Sequence, residues 1–145
     1  MKEPYWLKMD EALAIHHELI DAFGGLHGVR DQVLLEAALA RPQQIFVYTE
    51  ETSLFALAAA YMAAVVRNDP FVDGNKRAGF AFGLVFLDRK GIWVEGDTGE
   101  ATKLIYNLAA GQPSETDLID WLNRNAVSAA TVSGAALSAA GDASR

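Results

Sequence analysis

Residues 52–90, TSLFALAAAYMAAVVRNDPFVDGNKRAGFAFGLVFLDRK, decide the fold of this chain. The stretch 52–67 is apolar on nearly every side, which is typical of a helix at the buried centre of a helical bundle. A second apolar helix is predicted from Asn75 to Lys90, where Gly91 ends it. Two such helices place the chain in the all-α class, as a compact helical bundle.

Apolar residues at helical spacing and capping residues predict further helices on both sides of this stretch. The predicted helices span residues 10–23, 31–41, 98–110 and 114–124. Asp10 is expected to cap the first of them, and Pro42 to end the second. Residues 43–51 allow two interpretations, a short strand at Ile45–Tyr48 or an extended flap, and Ile92–Val94 is predicted as a short extended piece. The bundle should therefore contain five to seven helices.

The composition changes after Asn125, where residues 126–145 consist mostly of Ala, Ser, Gly and Val. Such a segment has too few large apolar side chains to form a core of its own. We therefore predict one domain over residues 1–125 and a flexible tail over residues 126–145.

The bulk properties of the 145 residues argue against several classes of protein. Without cysteine the chain has neither disulfides nor thiolate metal sites, which fits the cytoplasm. A formal net charge of −7 argues against binding of nucleic acid through the general field. The N-terminal residues show no apolar signal region, and charges interrupt every apolar run before the ~20 residues that a membrane span needs. We expect no nucleic-acid partner and no membrane association.

The two central helices are joined by Arg67–Arg77, a short connection that is rich in polar groups. Pro70 should end the first helix near Asn68, and Gly74 gives backbone freedom where the second helix begins. The first N–H groups of that helix lack intrahelical partners and, together with the helix dipole, suit a phosphate group.

Two cations, Lys76 and Arg77, stand in the first turn of the second helix. Cations there oppose the helix dipole at a cost of ~0.3–1 kcal/mol each, so they make sense if an anion lies between them and the amides. Asp73, directly before the helix, would then hold magnesium beside a polyphosphate, since magnesium prefers oxygen ligands. The same spacing also occurs in ordinary helix–helix connections, and the residues alone leave both interpretations open.

The run Asp69-Pro-Phe-Val-Asp-Gly-Asn-Lys-Arg77 resembles the Fic-family signature, His-Pro-Phe-x-Asp/Glu-Gly-Asn-Gly/Lys-Arg, at every specified position except the first. Residues 23–31, Phe-Gly-Gly-Leu-His-Gly-Val-Arg-Asp, resemble a segment of the Doc branch, and the likeness covers about residues 10–125. Fic proteins commonly transfer AMP from ATP to a target hydroxyl. Doc proteins, the toxin half of toxin–antitoxin pairs, transfer a phosphoryl group to a threonine of elongation factor Tu. Lys76 and Phe80 stand where the AMP-transferring branch has a glycine and an arginine, which favours the Doc branch.

The resemblance implies ATP and Mg²⁺ as cofactors. Asp73 would hold the magnesium ion, and Phe71 would pack under the loop. The phosphate-binding groups would be Asn75, Lys76, Arg77 and the backbone near Gly74. Positioning and charge neutralisation by Lys76 and Arg77 are what phosphoryl transfer chiefly demands.

The resemblance also implies partners. Residues 43–51 would be the flap that aligns the target chain, with elongation factor Tu as the target. Many Fic proteins carry an internal inhibitory motif, Ser/Thr-x-x-x-Glu-Gly/Asn, and none is found here. We therefore expect a separate antitoxin protein that docks near the site.

Asp69 stands where the family has the histidine that acts as general base. Three interpretations are open: a natural variant that retains activity, since aspartate is the base in protein kinases; a pseudoenzyme that only binds; or a deliberately disarmed variant. The carboxylate reaches about 1 Å less far than the distal imidazole nitrogen, and such a displacement can cost ~100-fold in rate. We expect greatly reduced activity for this chain.

The three histidines are not expected to replace that base. His16 and His17 should lie at the surface or be partly packed, and His27 should have a structural or rim position in the glycine-rich turn. None has the spacing of a metal ligand with a second histidine on one helical face.

Overall fold

The computed structural model describes residues 3–49, 53–111 and 115–128. Within them the chain forms six helices and two short strands, and the predicted all-α class is confirmed. The helices are α1 (Met9–Phe23), α2 (Gln32–Tyr48), α3 (Leu54–Asn68), α4 (Asn75–Asp88), α5 (Thr98–Ala109) and α6 (Glu115–Asn125), and the strands are β1 (Ile92–Val94) and β2 (Ala126–Ser128). None of the described helices has the length and apolarity needed to cross a bilayer.

Helix α3 lies at the centre and contacts α2, α4, α5 and α6. The Ser53 hydroxyl caps its N-terminus by accepting a hydrogen bond from the Ala56 N–H at 3.3 Å. Its buried side chains lie on nearly all sides, as the sequence predicts, and include those of Leu57, Tyr61, Met62, Val65 and Val66. Helix α3 is therefore the core element against which these four helices pack, and α1 packs on α4.

Helix α4 comes close to α3 because two of its buried positions are glycines, Gly79 and Gly83. A Cβ atom at Gly83 would lie 2.9 Å from the Ala58 carbonyl oxygen and would overlap the Met62 side chain. A Cβ atom at Gly79 would lie 3.1 Å from the Met62 carbonyl oxygen. The two glycines thus set the separation of the helices that flank the connection.

The prediction that Pro42 ends a helix is wrong, because α2 continues through it to Tyr48. A proline inside a helix costs ~3 kcal/mol relative to alanine, so packing must offset that cost. Pro42 is buried, and Ile45 and Phe46 pack against the core. The Phe46 ring meets Trp6 edge-on at 5.6 Å between centroids. A strand or extended flap is therefore wrong for residues 43–48, and residues 50–52 lie outside the described part.

Helix α1 begins at Met9, and the prediction that Asp10 is its N-cap is wrong. The N-cap is Lys8, whose N–H donates to the Glu11 carboxylate at 2.9 Å. A carboxylate three residues after the cap can satisfy the cap N–H in this way. Asp10 lies in the first turn instead.

The extended piece predicted at Ile92–Val94 is strand β1, and it pairs antiparallel with β2. Trp93 stands opposite Val127, and the Glu95 N–H donates to the Asn125 carbonyl at 2.9 Å. Strand β2 begins where we placed the start of a flexible tail, so regular structure continues to Ser128. Residues 129–145 lie outside the described part.

Candidate functional site

The connecting loop, residues 69–74, joins α3 to α4. Pro70 follows the end of α3, as predicted, and Asp69 caps that helix in the left-handed conformation with φ 48° and ψ 55°. The Asn75 side chain closes the loop from the other end. Its Oδ1 accepts the Phe71 N–H at 2.9 Å, and its Nδ2 donates to the Phe71 carbonyl at 3.0 Å. Asn75, predicted to bind phosphate, therefore shapes the loop with both ends of its amide.

The glycine-rich segment, residues 24–31, runs beside the connecting loop and holds it from outside. Val29 and Phe71 form an antiparallel bridge. The Val72 N–H donates to the Gly28 carbonyl at 3.0 Å, and the Arg30 N–H donates to the Pro70 carbonyl at 2.7 Å. Two distant stretches of sequence thus build one piece of local structure.

Arg30 also binds the end of α3 with its side chain. Its Nε donates to the Asp69 carbonyl at 2.7 Å, and its Nη2 donates to the Asn68 carbonyl at 2.9 Å. These carbonyls are at the helix C-terminus, where a cation is favourable. Sequence reasoning did not single out Arg30, since only the fold brings it to this helix end.

His16 lies beneath the connecting loop, and the prediction of a surface or partly packed position is wrong for it. It is 4% exposed. Its ring stacks on Phe71 with 3.8 Å between centroids and 5° between planes. Its Nε2 is 2.8 Å from the Asp73 carbonyl oxygen, which can only accept, so Nε2 carries the hydrogen. The signal was available, since Ala12, His16 and Ile20 form one buried stripe at helical spacing.

Phe71 is buried under the loop, as predicted, with 1% exposure. Its ring meets Phe82 of α4 edge-on at 6.1 Å between centroids. Together with the His16 ring, these contacts tie the middle of the connecting loop to the core.

The Asp73 side chain is exposed and faces two backbone donors. Its Oδ1 accepts the Gly74 N–H at 2.9 Å, and its Oδ2 accepts the Leu26 N–H at 3.0 Å. Each oxygen keeps a further lone pair, because an ionised carboxylate offers about four acceptor sites. A carboxylate that is fixed in direction and open to solvent fits an oxygen ligand of Mg²⁺.

The N-terminus of α4 has no side-chain cap. Its N-cap is Gly74, in the left-handed conformation with φ 73° and ψ 23°. The N-cap side chains of α2, α3 and α5, in contrast, each accept a backbone N–H of the first turn. The first N–H groups of α4 are therefore left for another acceptor, which suits an anion.

A cavity of about 330 Å³ opens at this helix end. Its lining contains every predicted site residue except Arg77, together with Arg30 and Val72: Arg30, Asp69, Phe71, Val72, Asp73, Gly74, Asn75 and Lys76. The structure thus brings the predicted base position, the predicted metal ligand and one predicted cation to a shared hollow.

Arg77 does not line this cavity. Its guanidinium lies over the Phe23 ring at 4.4 Å, and the Lys76 ammonium lies over the Tyr106 ring at 5.1 Å. Both cations border a second hollow of about 720 Å³ between α1, α4 and α5, which Phe80 and Leu84 also line. Lys76 therefore stands between the two hollows, and Arg77 faces only the apolar one.

Comparison with known proteins gives matches over most of the described chain. Residues 6–87 match the Fic/DOC family. Protein kinase doc of Escherichia phage P1 is 36% identical over 115 residues, which are 79% of this chain and 90% of the phage protein. Toxin Doc of Mycolicibacterium smegmatis is 42% identical over 77 residues, which are 52% of this chain and 59% of that protein.

Proposed function

The chain belongs to the Fic/DOC family, and we propose that it is a Doc-like toxin built for ATP-dependent transfer of a phosphoryl group to a protein hydroxyl. The target we propose is a threonine or serine of elongation factor Tu, and the partner that restrains the toxin is a cognate antitoxin protein. In this chain Asp69, at the position of the general base, largely disables the transfer.

One observation carries the proposal: the uncapped N-terminus of α4 opens into a cavity that also holds Asp73 and Lys76. Backbone N–H groups and the helix dipole would bind the phosphates of ATP, and Lys76 would add a positive charge at the rim. Asp73 would hold Mg²⁺ through its remaining lone pairs. A bound magnesium ion neutralises charge on the phosphates during transfer.

The other residues keep this arrangement in place. Asn75 holds the loop backbone at Phe71, Arg30 holds the end of α3, and His16 supports the Asp73 carbonyl from below. Since phosphoryl transfer depends mainly on positioning and electrostatics, a loop fixed at several points suits that chemistry.

Asp69 lines the cavity, which supports our proposal that it occupies the position of the general base. A carboxylate there adds negative charge close to the phosphates and has a shorter reach than an imidazole. The expected result is weak transfer with retained ATP binding. If Asp69 cannot act as a base at all, the chain is a non-catalytic binding module and not an active enzyme.

The substitution Asp69→His tests the proposal. Histidine is among the residues that adopt the left-handed conformation more readily than most, so the variant should fold. With purified elongation factor Tu, Asp69→His should transfer label from γ-labelled ATP, and its expression should arrest growth. Asp69→Asn, which has the same backbone tolerance and no base, is the matched control and should stay inactive.

The position of the label separates the alternatives. Label from the γ-phosphate supports phosphoryl transfer, and label from the α-phosphate would show AMP transfer instead. If Asp69→His neither labels the factor nor arrests growth although it binds ATP, the chain is a binding module. In the Asp69→His background, Lys76→Ala should weaken ATP binding, and unchanged affinity would overturn the phosphate assignment.

A further inference from the structure

Three side chains on the outer face of α1 and the glycine-rich segment converge on one point. His17 and Asp21 are four residues apart on α1, and therefore share a face of the helix. His27 comes from the glycine-rich segment. The His17 Nε2 is 3.3 Å from Asp21 Oδ2, and the His27 Nε2 is 2.8 Å from Asp21 Oδ1. One ligand atom from each residue lies within 4.8 Å of the others.

We infer that His17, Asp21 and His27 form a binding site for a divalent transition-metal cation of the Zn²⁺ class. Zinc binds imidazole nitrogen and carboxylate oxygen at about 2.0–2.2 Å, so ligand atoms around a tetrahedral ion are about 3.3 Å apart. The His17–Asp21 separation of 3.3 Å matches this value, and the His27–Asp21 separation is shorter, at 2.8 Å. Three protein ligands leave a fourth position for water or another donor.

The two imidazoles are also placed so that both can be ligands of one cation. Their ring centroids are 4.3 Å apart, with both Nε2 atoms directed at one carboxylate. With the hydrogen of each ring on Nδ1, both Nε2 lone pairs are available as ligands for a cation at this point. Two imidazoles and one carboxylate suit Zn²⁺, Ni²⁺ or Cu²⁺, whereas Mg²⁺ prefers oxygen.

The third ligand is held in position by the fold. His27 lies between Leu26 and Gly28, and both neighbours are hydrogen-bonded to the connecting loop. The Leu26 N–H donates to Asp73 Oδ2 at 3.0 Å, and the Gly28 carbonyl accepts the Val72 N–H at 3.0 Å. A cation on His27 would therefore tie the glycine-rich segment to α1, and through it would steady Asp73.

The site is open to solvent, since the side chains of His17, Asp21 and His27 are 65%, 60% and 44% exposed. A cation can enter without any rearrangement of the fold. The sequence did not indicate this cluster. On α1 only Asp21 shares a face with His17, and the second histidine, His27, comes from the glycine-rich segment. The inference does not rest on the proposed transferase chemistry, and each can fail alone.

The test is calorimetric titration of the metal-stripped full chain with Zn²⁺, with Mg²⁺ as the comparison ion. We expect one equivalent of Zn²⁺ to bind saturably and Mg²⁺ not to compete. Because even outer-shell partners of a metal site contribute about 10–100-fold to affinity, Asp21→Asn and His27→Ala should each weaken Zn²⁺ binding at least about tenfold. Glu18→Gln, an exposed carboxylate on the same helix, should leave it unchanged.

A second measurement reports on the mobility of the glycine-rich segment and not on the affinity for Zn²⁺. Zn²⁺ should slow amide hydrogen exchange over residues 24–31 in the wild-type chain and leave it unchanged in His27→Ala. Absence of saturable Zn²⁺ binding would overturn the inference. So would equal affinity in Asp21→Asn and the wild type, or an equal loss in Glu18→Gln, which would indicate general surface binding.

Discussion

The imidazole of His16 lies parallel to the ring of Phe71, with 3.8 Å between the ring centroids, and its Nε2 meets the Asp73 carbonyl oxygen at 2.8 Å. One buried side chain of α1 therefore contacts the middle and the end of the connecting loop. Loss of this side chain should loosen the loop that forms the cavity.

Two substitutions at His16 separate its two contacts. His16→Ala removes the stacking and the N–H donor, and should lower the free energy of unfolding by about 2–4 kcal/mol. His16→Phe keeps a stacking ring and loses only the donor, so its cost should be smaller. Urea unfolding measures both, and hydrogen exchange of the Val72–Gly74 amides should rise in both. Exchange at the wild-type rate in His16→Ala would contradict a role in holding the loop.

The second prediction is that Asn75 stabilises the shape of the connecting loop and does not contact the ligand directly. Asn75→Ala removes both hydrogen bonds to the Phe71 backbone and should cost about 1–3 kcal/mol of stability. Asn75→Asp can still accept the Phe71 N–H, but it sets a carboxylate against the Phe71 carbonyl and should be intermediate. Thermal unfolding and ATP binding are measured together. A large loss of ATP affinity with unchanged stability would show that Asn75 acts on the ligand directly.

The close approach of α3 and α4 gives a third prediction. Gly83→Ala would force the Met62 side chain aside and press on the Ala58 carbonyl, so we expect a loss of about 1–3 kcal/mol. At Gly79 the nearest atoms to an added Cβ lie at 3.1–3.3 Å, and alanine gains about 1 kcal/mol of helix propensity. Gly79→Ala should therefore be near neutral. Urea unfolding of the two variants compares their free energies of unfolding. Equal losses of stability would show that α3 and α4 are equally close at Gly79 and at Gly83.

The fourth prediction concerns Tyr61 and alkaline pH. Burial raises the pKa of Tyr61 from 10.0 to about 12, although the Leu7 N–H, which donates to its oxygen at 2.9 Å, opposes the rise. Because the folded-state pKa is the higher one, neutral Tyr61 stabilises the fold below about pH 10. That stabilisation, up to about 3 kcal/mol, is lost as the pH rises through about 12.

The variant Tyr61→Phe should remove this part of the pH dependence. It leaves the buried Leu7 N–H without its partner, so its stability at neutral pH should be about 1–3 kcal/mol lower. Between pH 10 and 12 its free energy of unfolding should fall less steeply than that of the wild type. Tyr48→Phe, at a position 84% exposed, is the matched control and should follow the wild type. A parallel decline in Tyr61→Phe would contradict the assignment.

The elements that the sequence predicted are those with local signals. Apolar residues on all sides identify α3, and the predicted start of α4 at Asn75 is confirmed, although this helix ends at Asp88, two residues before the predicted Lys90. The continuation of α2 through Pro42 depends on contacts with Trp6 and the core, which no local rule contains. Strand β2 depends on pairing with β1, more than thirty residues earlier, and its Ala-Val-Ser sequence has little strand preference of its own.

The candidate site likewise contains residues with a local sequence signal and residues whose roles depend on tertiary contacts. The run from Asp69 to Arg77 predicted an anion site, because a proline, a glycine and two cations lie at a helix start. It did not show that Asn75 turns back onto Phe71, or that Arg77 turns toward Phe23. Arg30 and His16 come from elsewhere in the chain, and their roles follow only from the way the glycine-rich segment and α1 pack on the loop.

Among the described residues, Asp69 is the only one other than glycine with a positive φ. That conformation excludes most side chains, yet aspartate and histidine both belong to the small group that adopts it readily. What the backbone requires at this position is therefore separate from what the chemistry requires. An exchange between the two residues can switch a reactive group on or off and leave the surrounding surface, which any binding protein would recognise, in its original shape.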